Sequence, residues 1–224
     1  DTDKFIWLQA RQVWLFSMLY NNVEKRKEWL DCAIHGAEFL KKYGHDGDLN
    51  WYFSLNQECK PLVEPYNIFS YTFATIAFGQ LNKATGNKEY GDIALKTFEN
   101  VRRKQDNPKG QWNKLHPGTR DLKNFALPMI LSNVTKEIEH LLDPKLLLEF
   151  SEESIDTIMN DFYRPGLGGI IVENIMQDNS LSDSFEGRLI NPGHAIEAMW
   201  FIMDLAKDLE RPQLAEKAVE ITFN

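Results

Sequence analysis

Residues Lys4 to Tyr20 read KFIWLQARQVWLFSMLY, and this stretch decides the fold class. Apolar residues recur at helical spacing on one face, and a second face one helical step away carries two tryptophans, an arginine and a methionine. The two faces are Phe5, Leu8, Leu15 and Leu19, and Trp7, Arg11, Trp14 and Met18. Because neither face is dominated by charge, we expect a helix that is buried on both sides.

Similar helical patterns fill most of the remaining chain, and short segments of different composition lie between them. The predicted helices are Lys4–Tyr20, Glu24–Tyr43, Ile68–Ala84, Lys88–Lys104, Thr119–His140, Lys145–Phe162, Pro192–Asp208 and Pro212–Phe223. The segments from Asn50 to Leu55 and from Gly168 to Ile175 are β-branched or aromatic and are bounded by Gly, Asp or Asn. They predict small β-hairpins at helix ends.

Helices of this length, joined alternately by short turns and by longer loops, indicate helical hairpins laid side by side. In such an arrangement a doubly buried helix lies between its partner and a central cavity. We therefore expect an all-α toroid, an (α/α) barrel of helical hairpins with short β-hairpins in its loops and a pocket at one end. A superhelical repeat scaffold that binds other proteins has much the same spacing and stays open as an alternative.

Length, composition and charge limit the classes of protein to which this sequence can belong. The length of 224 residues fits one large domain, so the sequence predicts a single domain over residues 1–224. The 33 acidic and 25 basic residues give a net charge of -8 without a basic stripe, which argues against a nucleic-acid partner. The absence of a long apolar run argues against a membrane protein, and two cysteines without metal spacing favour the cytoplasm and predict no metal site.

The segment from Ile190 to Phe201, INPGHAIEAMWF, contains a candidate catalytic histidine. A proline suits the first helical position, so His194 lies in the first turn, with Glu197 three residues later on the same face. The helix start favours the neutral imidazole and the carboxylate favours its cation, a combination suited to a general base. Arg188 and Asn191 just before the helix suggest the rim of a pocket. The alternative is a histidine that is merely a hydrogen-bonded polar residue of the helix start.

Trp7, Arg11 and Trp14 are spaced along one helical face and form a second candidate site. Aromatic faces and guanidinium donors bind sugar rings through CH–π packing and directional hydrogen bonds, so we expect Trp7 to contact a sugar. The alternative is that both tryptophans belong to the core and that Arg11 forms a buried ion pair.

Other catalytic motifs are missing from the sequence. It has no GxxxxGK[ST], HExxH or GxSxG motif and no strand followed by GxGxxG. This argues against nucleotide phosphoryl transfer, zinc peptidase, serine hydrolase and dinucleotide redox chemistry. Paired carboxylates for glycoside hydrolysis stay possible, because Glu173, Asp183, Glu186 and Glu197 are available.

The segment ENIMQDNSLSDSFEGRLINPGHAIEAMWF, residues 173–201, resembles the signature of the N-acylglucosamine 2-epimerase family. Three further segments resemble that family's first inner helix, its hairpin and its proline-methionine helix. They are KFIWLQARQVWLFSMLY, LNWYFSLNQECKPL and TRDLKNFALPMILSNV. The resemblance covers nearly the whole chain, and its Arg-x-x-Asn-Pro-Gly-His-x-x-Glu-x-x-Trp element is specific.

This resemblance implies an (α/α)6 barrel, a homodimer, and interconversion of N-acetylglucosamine and N-acetylmannosamine through an enediolate. It implies that His194 is one of two catalytic histidines, that Glu197 is its carboxylate partner and that Arg11 stabilises the enediolate oxygen. Further residues match family positions near the sugar: Glu173, Arg188 and Asn191, with Asn124 on a helix that carries sugar contacts in the disaccharide epimerases. No cofactor is implied for the chemistry, and the ATP effector of some members has no motif here.

Members of this family are nearly twice as long as this chain, and their second catalytic histidine comes from a C-terminal part that the chain does not reach. We therefore expect the 224 residues to be a fragment containing an incomplete barrel. An aldose-ketose isomerase, or a cellobiose or mannose epimerase of the same fold, is an alternative function. A non-catalytic protein that binds a sugar or another protein is a third.

Overall fold

A computed structural model describes residues 2–64, 68–107, 109–110, 116, 119 and 121–223. These residues form eight α-helices and seven short β-strands. The helices are α1 (Ile6–Asn22), α2 (Lys27–Tyr43), α3 (Phe69–Thr85), α4 (Lys88–Lys104), α5 (Ala126–Glu137), α6 (Pro144–Asp156), α7 (Pro192–Asp208) and α8 (Pro212–Thr222). The strands are β1 (Lys4–Phe5), β2 (Ser54–Leu55), β3 (Pro61–Val63), β4 (Leu122–Asn124), β5 (Tyr163–Arg164), β6 (Ile170–Ile171) and β7 (Asn174–Met176).

The chain forms two compact units. The first contains Asp1–Asn113 and Glu137–Leu141, and the second contains Lys114–Lys136 and Leu142–Asn224. In the first unit α1 packs against α2 and α3, and α3 packs against α4; in the second unit α7 packs against α8. Consecutive helices therefore pair as hairpins, which confirms the all-α class. That residues 1–224 form one domain stays a prediction.

Burial in the first unit is greatest along α3, in which 11 of 17 residues are buried. A Cβ added to Gly79 would lie only 2.6 Å from Cγ2 of Ile138, so this glycine lets the neighbouring segment approach closely. By contrast, α1 buries one stripe and leaves Leu8 and Leu15 exposed. That stripe is Ile6, Ala10, Val13 and Ser17. The helix that is buried on most sides is thus α3 rather than α1, which corrects the prediction for Lys4–Tyr20.

The strands form three small antiparallel sheets, ordered β1-β2-β3, β4-β7 and β5-β6. The segment from Asn50 to Leu55 supplies β2, which pairs with β1 and β3. The predicted hairpin from Gly168 to Ile175 is wrong, because its two strands do not pair with each other: β6 pairs with β5, and β7 pairs with β4. Local composition indicates a strand but does not specify its partner.

Two predicted helices also change at their ends. Strand β4 occupies part of the helix predicted from Thr119, and α5 begins only at Ala126, whose backbone N donates to Oδ1 of Asn124 at 3.1 Å. The intervening Arg120 lies outside the described residues. Helix α6 ends at Asp156 and continues as a π-helix over Thr157–Phe162.

The core of the second unit is formed mainly by α7 and the elements around it. Helix α7 buries six residues, Ala198, Met199, Phe201, Ile202, Leu205 and Ala206. The first five belong to a hydrophobic cluster that also contains Phe125, Ile158, Phe162 and Ile175. The N-terminal turn of α7 precedes this buried part, and its residues are exposed or half-buried, so its side chains are available to form a site. Within the described residues, none of the helices has the length and apolar content needed to cross a membrane.

Candidate active site

The first turn of α7 presents His194. Asn191 caps this helix, because its Oδ1 accepts a hydrogen bond from the backbone N of His194 at 3.4 Å, and Pro192 follows at the first helical position. The side chain of His194 is 34% exposed. The helix start therefore offers an imidazole that a small molecule can reach.

Glu173 enters the same site from the strand pair β4-β7. Its backbone N donates to the carbonyl of Leu189 at 3.2 Å, and its carbonyl accepts from the backbone N of Phe125 at 2.9 Å. Its side chain is only 7% exposed. A carboxylate so deeply buried requires a hydrogen-bond partner, since its loss of hydration is otherwise uncompensated.

The partner of Glu173 is the ring of His194, whose Nδ1 lies 2.8 Å from Oε1 of the carboxylate. An ionised carboxylate only accepts hydrogen bonds, so this contact assigns the proton of a neutral ring to Nδ1. The lone pair of Nε2 is then free on the other side of the ring. This arrangement suits a general base, with the ring oriented from the protein side and open to a substrate at Nε2.

The carboxylate paired with His194 is therefore Glu173, and not Glu197 as the sequence predicted. Glu197 is half-buried one turn along α7, and within the described part of the chain no hydrogen bond joins it to His194. The reason is that the bend directly before strand β7 brings in a carboxylate from 21 residues away, which spacing along one helix cannot reveal. A direct contact of Glu173 with a sugar stays a prediction.

The structure places three of the other predicted sugar ligands in the second unit. Nδ2 of Asn124 lies 3.3 Å from the carbonyl of Glu173, and Asn191 caps the helix of His194. Arg188 lies instead on an exposed turn, where its Nη1 forms an ion pair with Asp183 at 2.7 Å. The fold thus gathers Asn124, Asn191, Glu173 and His194, and it leaves Arg188 at the surface.

Arg11, Trp7 and Phe73 form a second group, which lies in the first unit. The guanidinium of Arg11 is 4.8 Å from the ring centroid of Phe73 and 5.8 Å from that of Trp7. The two rings are tilted by 41° with centroids 5.9 Å apart. Arg11 is exposed, so it does not form the buried ion pair considered as an alternative. The sequence analysis missed Phe73, because helical spacing within α3 carries no information about α1.

Two other histidines of the first unit have structural partners. Burial lowers the pKa of His45, whose Nδ1 accepts from the backbone N of Gly47 at 3.0 Å. Burial also lowers the pKa of His140, whose Nε2 lies 3.2 Å from Oδ1 of Asn82. Both contacts tie the rings to polar groups of the first unit, so these two histidines have a structural role.

Comparison with known proteins relates the whole chain to sugar epimerases. The sequence pattern of the N-acylglucosamine 2-epimerase (GlcNAc 2-epimerase) family matches residues 1–224. The chain is 30% identical to N-acylglucosamine 2-epimerase from Rattus norvegicus over 98% of its own length and 54% of that protein. It is 21% identical to cellobiose 2-epimerase from Dictyoglomus turgidum over 98% of its length and 59% of that protein. The chain thus spans somewhat more than half the length of these relatives.

Solved structures show the same fold. The chain is similar to cellobiose 2-epimerase from Bacillus thermoamylovorans, with a TM-score of 0.83 and 17% identity over 100% of this chain and 61% of that one. It is also similar to a sugar epimerase from a ruminal bacterium, with a TM-score of 0.80 and 21% identity over 99% of this chain and 59% of that one. These likenesses confirm the predicted (α/α) barrel class, which the chain matches in part.

Proposed function

Because this chain belongs to the N-acylglucosamine 2-epimerase family, we propose that the intact protein is a sugar 2-epimerase that interconverts N-acetylglucosamine and N-acetylmannosamine. The observation that supports this proposal best is the pair of His194 and Glu173 at 2.8 Å. Epimerisation next to an aldehyde starts with removal of the proton on C2, and an oriented imidazole is suited to that step.

In the proposed first step, Nε2 of His194 takes the C2 proton of the open-chain sugar. The electrons of the broken C2–H bond form a double bond between C1 and C2, and negative charge moves to O1. The imidazole becomes a cation that donates through Nδ1 to Glu173, whose buried carboxylate stabilises it. Glu173 thus has two roles, since it orients the neutral ring and stabilises the charged one.

Arg11 is proposed to stabilise the negative charge on O1 of the enolate that this step forms. Its guanidinium carbon lies over the ring of Phe73, 4.8 Å from the centroid, and a guanidinium donates hydrogen bonds through its N–H groups. A fixed donor aimed at developing charge lowers the barrier more than it strengthens substrate binding. Trp7 beside it is proposed to pack against the sugar ring.

Return of a proton to the opposite face of C2 completes the inversion. The family resemblance assigns this step to a second histidine outside residues 1–224. The sugar neither gains nor loses electrons overall, so the proposed reaction requires no redox cofactor. Glu197, Asn124, Arg188 and Asn191 stay predicted site residues, and a homodimer and a cytoplasmic location stay predictions. The ATP effector of some family members stays open for this chain.

A cellobiose 2-epimerase is the second candidate function. It is favoured by the similarity to the cellobiose 2-epimerases of Dictyoglomus turgidum and Bacillus thermoamylovorans. The reducing end of cellobiose opens to an aldehyde, so the same first step applies. An aldose-ketose isomerase would share the enediolate and return the proton to C1, and product analysis separates it from an epimerase.

The proposed function is tested by proton NMR of N-acetylglucosamine incubated with the intact protein in D2O. Deuterium at C2 together with the manno epimer is the expected result. The variant His194→Asn is expected to abolish both signals. His35→Asn is the matched control, because His35 is exposed on α2, in the first unit, and should leave turnover unchanged.

Four other outcomes would contradict the proposal or redirect it. Exchange on cellobiose alone would favour the second candidate, and deuterium at C1 of a ketose product would favour an isomerase. Full exchange by His194→Asn would remove the histidine from the chemistry. An intact protein that binds sugars without any exchange would be a binding protein instead.

A further inference from the structure

The side-chain amide of Asn174, the residue after Glu173, forms a hydrogen bond through its oxygen and another through its nitrogen. We infer that Asn174 is a positioning residue, which holds the segment leading to His194 at the distance that its contact with Glu173 requires. This inference rests on the proposed function. Asn174 follows Glu173 directly in the sequence and was not among the residues predicted to form the site.

The two hydrogen bonds of Asn174 connect two different segments. Its Oδ1 accepts from Nδ2 of Asn124 at 3.0 Å, and its Nδ2 donates to the carbonyl of Glu186 at 2.9 Å. Asn124 and Asn174 are also register partners in the β4-β7 pair. One amide therefore ties a strand pair to the one-turn 3-10 helix Glu186–Arg188.

The segment held by Asn174 runs directly into the start of α7. After Glu186 the chain passes through Leu189, whose carbonyl accepts from the backbone N of Glu173 at 3.2 Å, and reaches the cap residue Asn191. The Asn174 and Glu173 contacts thus act on the same short segment, three residues apart. They fix the start of α7, and with it His194, relative to Glu173 and to strand β7, which follows it.

This connection is important because a small displacement of His194 is enough to weaken its hydrogen bond with Glu173. A hydrogen bond of 2.8 Å weakens steeply with small displacements, and the carbonyl of Glu173 accepts from the backbone N of Phe125 at 2.9 Å, a contact that does not involve the segment before α7. Loosening of the segment before α7 therefore moves His194 rather than Glu173. A misplacement of about 1 Å can cost orders of magnitude in rate without removing the substrate site.

The first test is amide hydrogen exchange in the intact protein, which does not depend on turnover. Asn174→Asp keeps an acceptor for Asn124 but places a carboxylate oxygen against the carbonyl of Glu186. Exchange in peptides covering residues 184–194 is expected to accelerate by about tenfold, the effect of losing one hydrogen bond. Asn160→Ala is the control, because Asn160 is exposed and its hydrogen bond is to Asp156 on the same helical segment.

The second test separates kcat from KM for sugar epimerisation. Asn174→Asp and Asn174→Ala are expected to lower kcat by about tenfold while KM stays within about threefold, because the reacting groups and not the sugar contacts are displaced. Two variants are used so that misfolding of one, seen as loss of helical circular dichroism, still leaves a measurement.

Unchanged exchange over residues 184–194 in a folded Asn174 variant would overturn the inference. Accelerated exchange with normal kcat would overturn it too, because the segment would then move without affecting the reaction. Absence of turnover in the unaltered protein would count against the proposed function, and the exchange data would still decide whether Asn174 holds the segment.

Discussion

Nδ1 of His194 lies 2.8 Å from Oε1 of Glu173, although the two residues are 21 positions apart and come from a helix start and from the bend before strand β7. The carboxylate is almost fully buried, while about a third of the imidazole is exposed. This difference in burial suits Glu173 to orient the ring from inside the protein and suits His194 to react with a substrate at the surface. Such a pair can act on a small molecule without exposing its carboxylate.

Glu173→Gln is expected to lower kcat for epimerisation by about 100-fold with little change in KM. The glutamine keeps the shape of the side chain but cannot stabilise the imidazolium by charge. Steady-state kinetics on N-acetylglucosamine measure the effect, and Glu149→Gln on the exposed surface of α6 is the control. A normal kcat for Glu173→Gln would mean that the pair has only a structural role.

Phe73→Leu is expected to lower kcat by about two- to fivefold, the range of an exposed cation–π contact. The leucine keeps an apolar side chain but removes the ring that holds the guanidinium of Arg11 at 4.8 Å. Phe39→Leu is the matched control, because Phe39 is half-buried on α2 and its ring lies 5.5 Å from that of Tyr43. An equal effect of both substitutions on kcat would argue against a role for Phe73 in placing Arg11.

Glu137 is expected to make the stability of the fold depend on pH. Burial raises the pKa of this carboxyl, and nearby Lys83 opposes the increase. A raised carboxyl pKa in the folded state stabilises the fold at low pH, and this contribution is lost as pH rises through the folded-state pKa. Glu137→Gln is therefore expected to raise the urea midpoint at pH 8 relative to the unaltered protein, and to raise it less at pH 4.

The measurement is tryptophan fluorescence during urea unfolding at several pH values. Glu149→Gln removes a carboxyl of the same type from an exposed position and serves as the control. If Glu137→Gln lowered the urea midpoint at pH 8, the buried carboxylate would be stabilised by its surroundings, contrary to the direction of its pKa.

Gly36→Ala is expected to lower the free energy of unfolding by ~1–3 kcal/mol despite the better helix propensity of alanine. A Cβ at this position would lie 2.7 Å from Cγ2 of Val13, across the contact of α1 and α2. Val13→Ala removes that methyl group, so the cost of Gly36→Ala should largely disappear in the double variant. Additive costs in the double-mutant cycle would show that the two helices do not meet at these residues.

The sequence predicted helices well where local signals mark their ends. Helix α4 runs over Lys88–Lys104 as predicted, because Asn87 accepts from the backbone N of Glu89 and caps it after Gly86, whose φ is 68°. Helix α7 likewise has its predicted bounds, with Pro192 at its first position. Caps act over three or four residues, so their effect can be recognised in sequence.

The partners of these elements were harder to predict. The segment from Gly168 to Ile175 contains two strands as its composition suggested, but β6 and β7 pair with β5 and β4 rather than with each other. Phe73 lies beside Arg11 from a different helix, and Asn174 reaches Glu186 across a loop. Each of these contacts joins residues from separate segments of the chain. Helical and strand periodicity relates only near neighbours, so it cannot predict such contacts.

By itself the sequence determined the helical class, the position of His194 in the first turn of α7, and the resemblance to sugar epimerases. These properties depend on periodicity, on caps and on an ordered motif, all of which act between near neighbours in the chain. The tertiary structure alone decided that Glu173 rather than Glu197 meets His194, and that α3 rather than α1 is the most buried helix. Strand pairing and close packing at glycines determined both outcomes. Burial of apolar area and hydrogen bonding of a buried carboxylate involve distant segments of the chain, which come together only on folding.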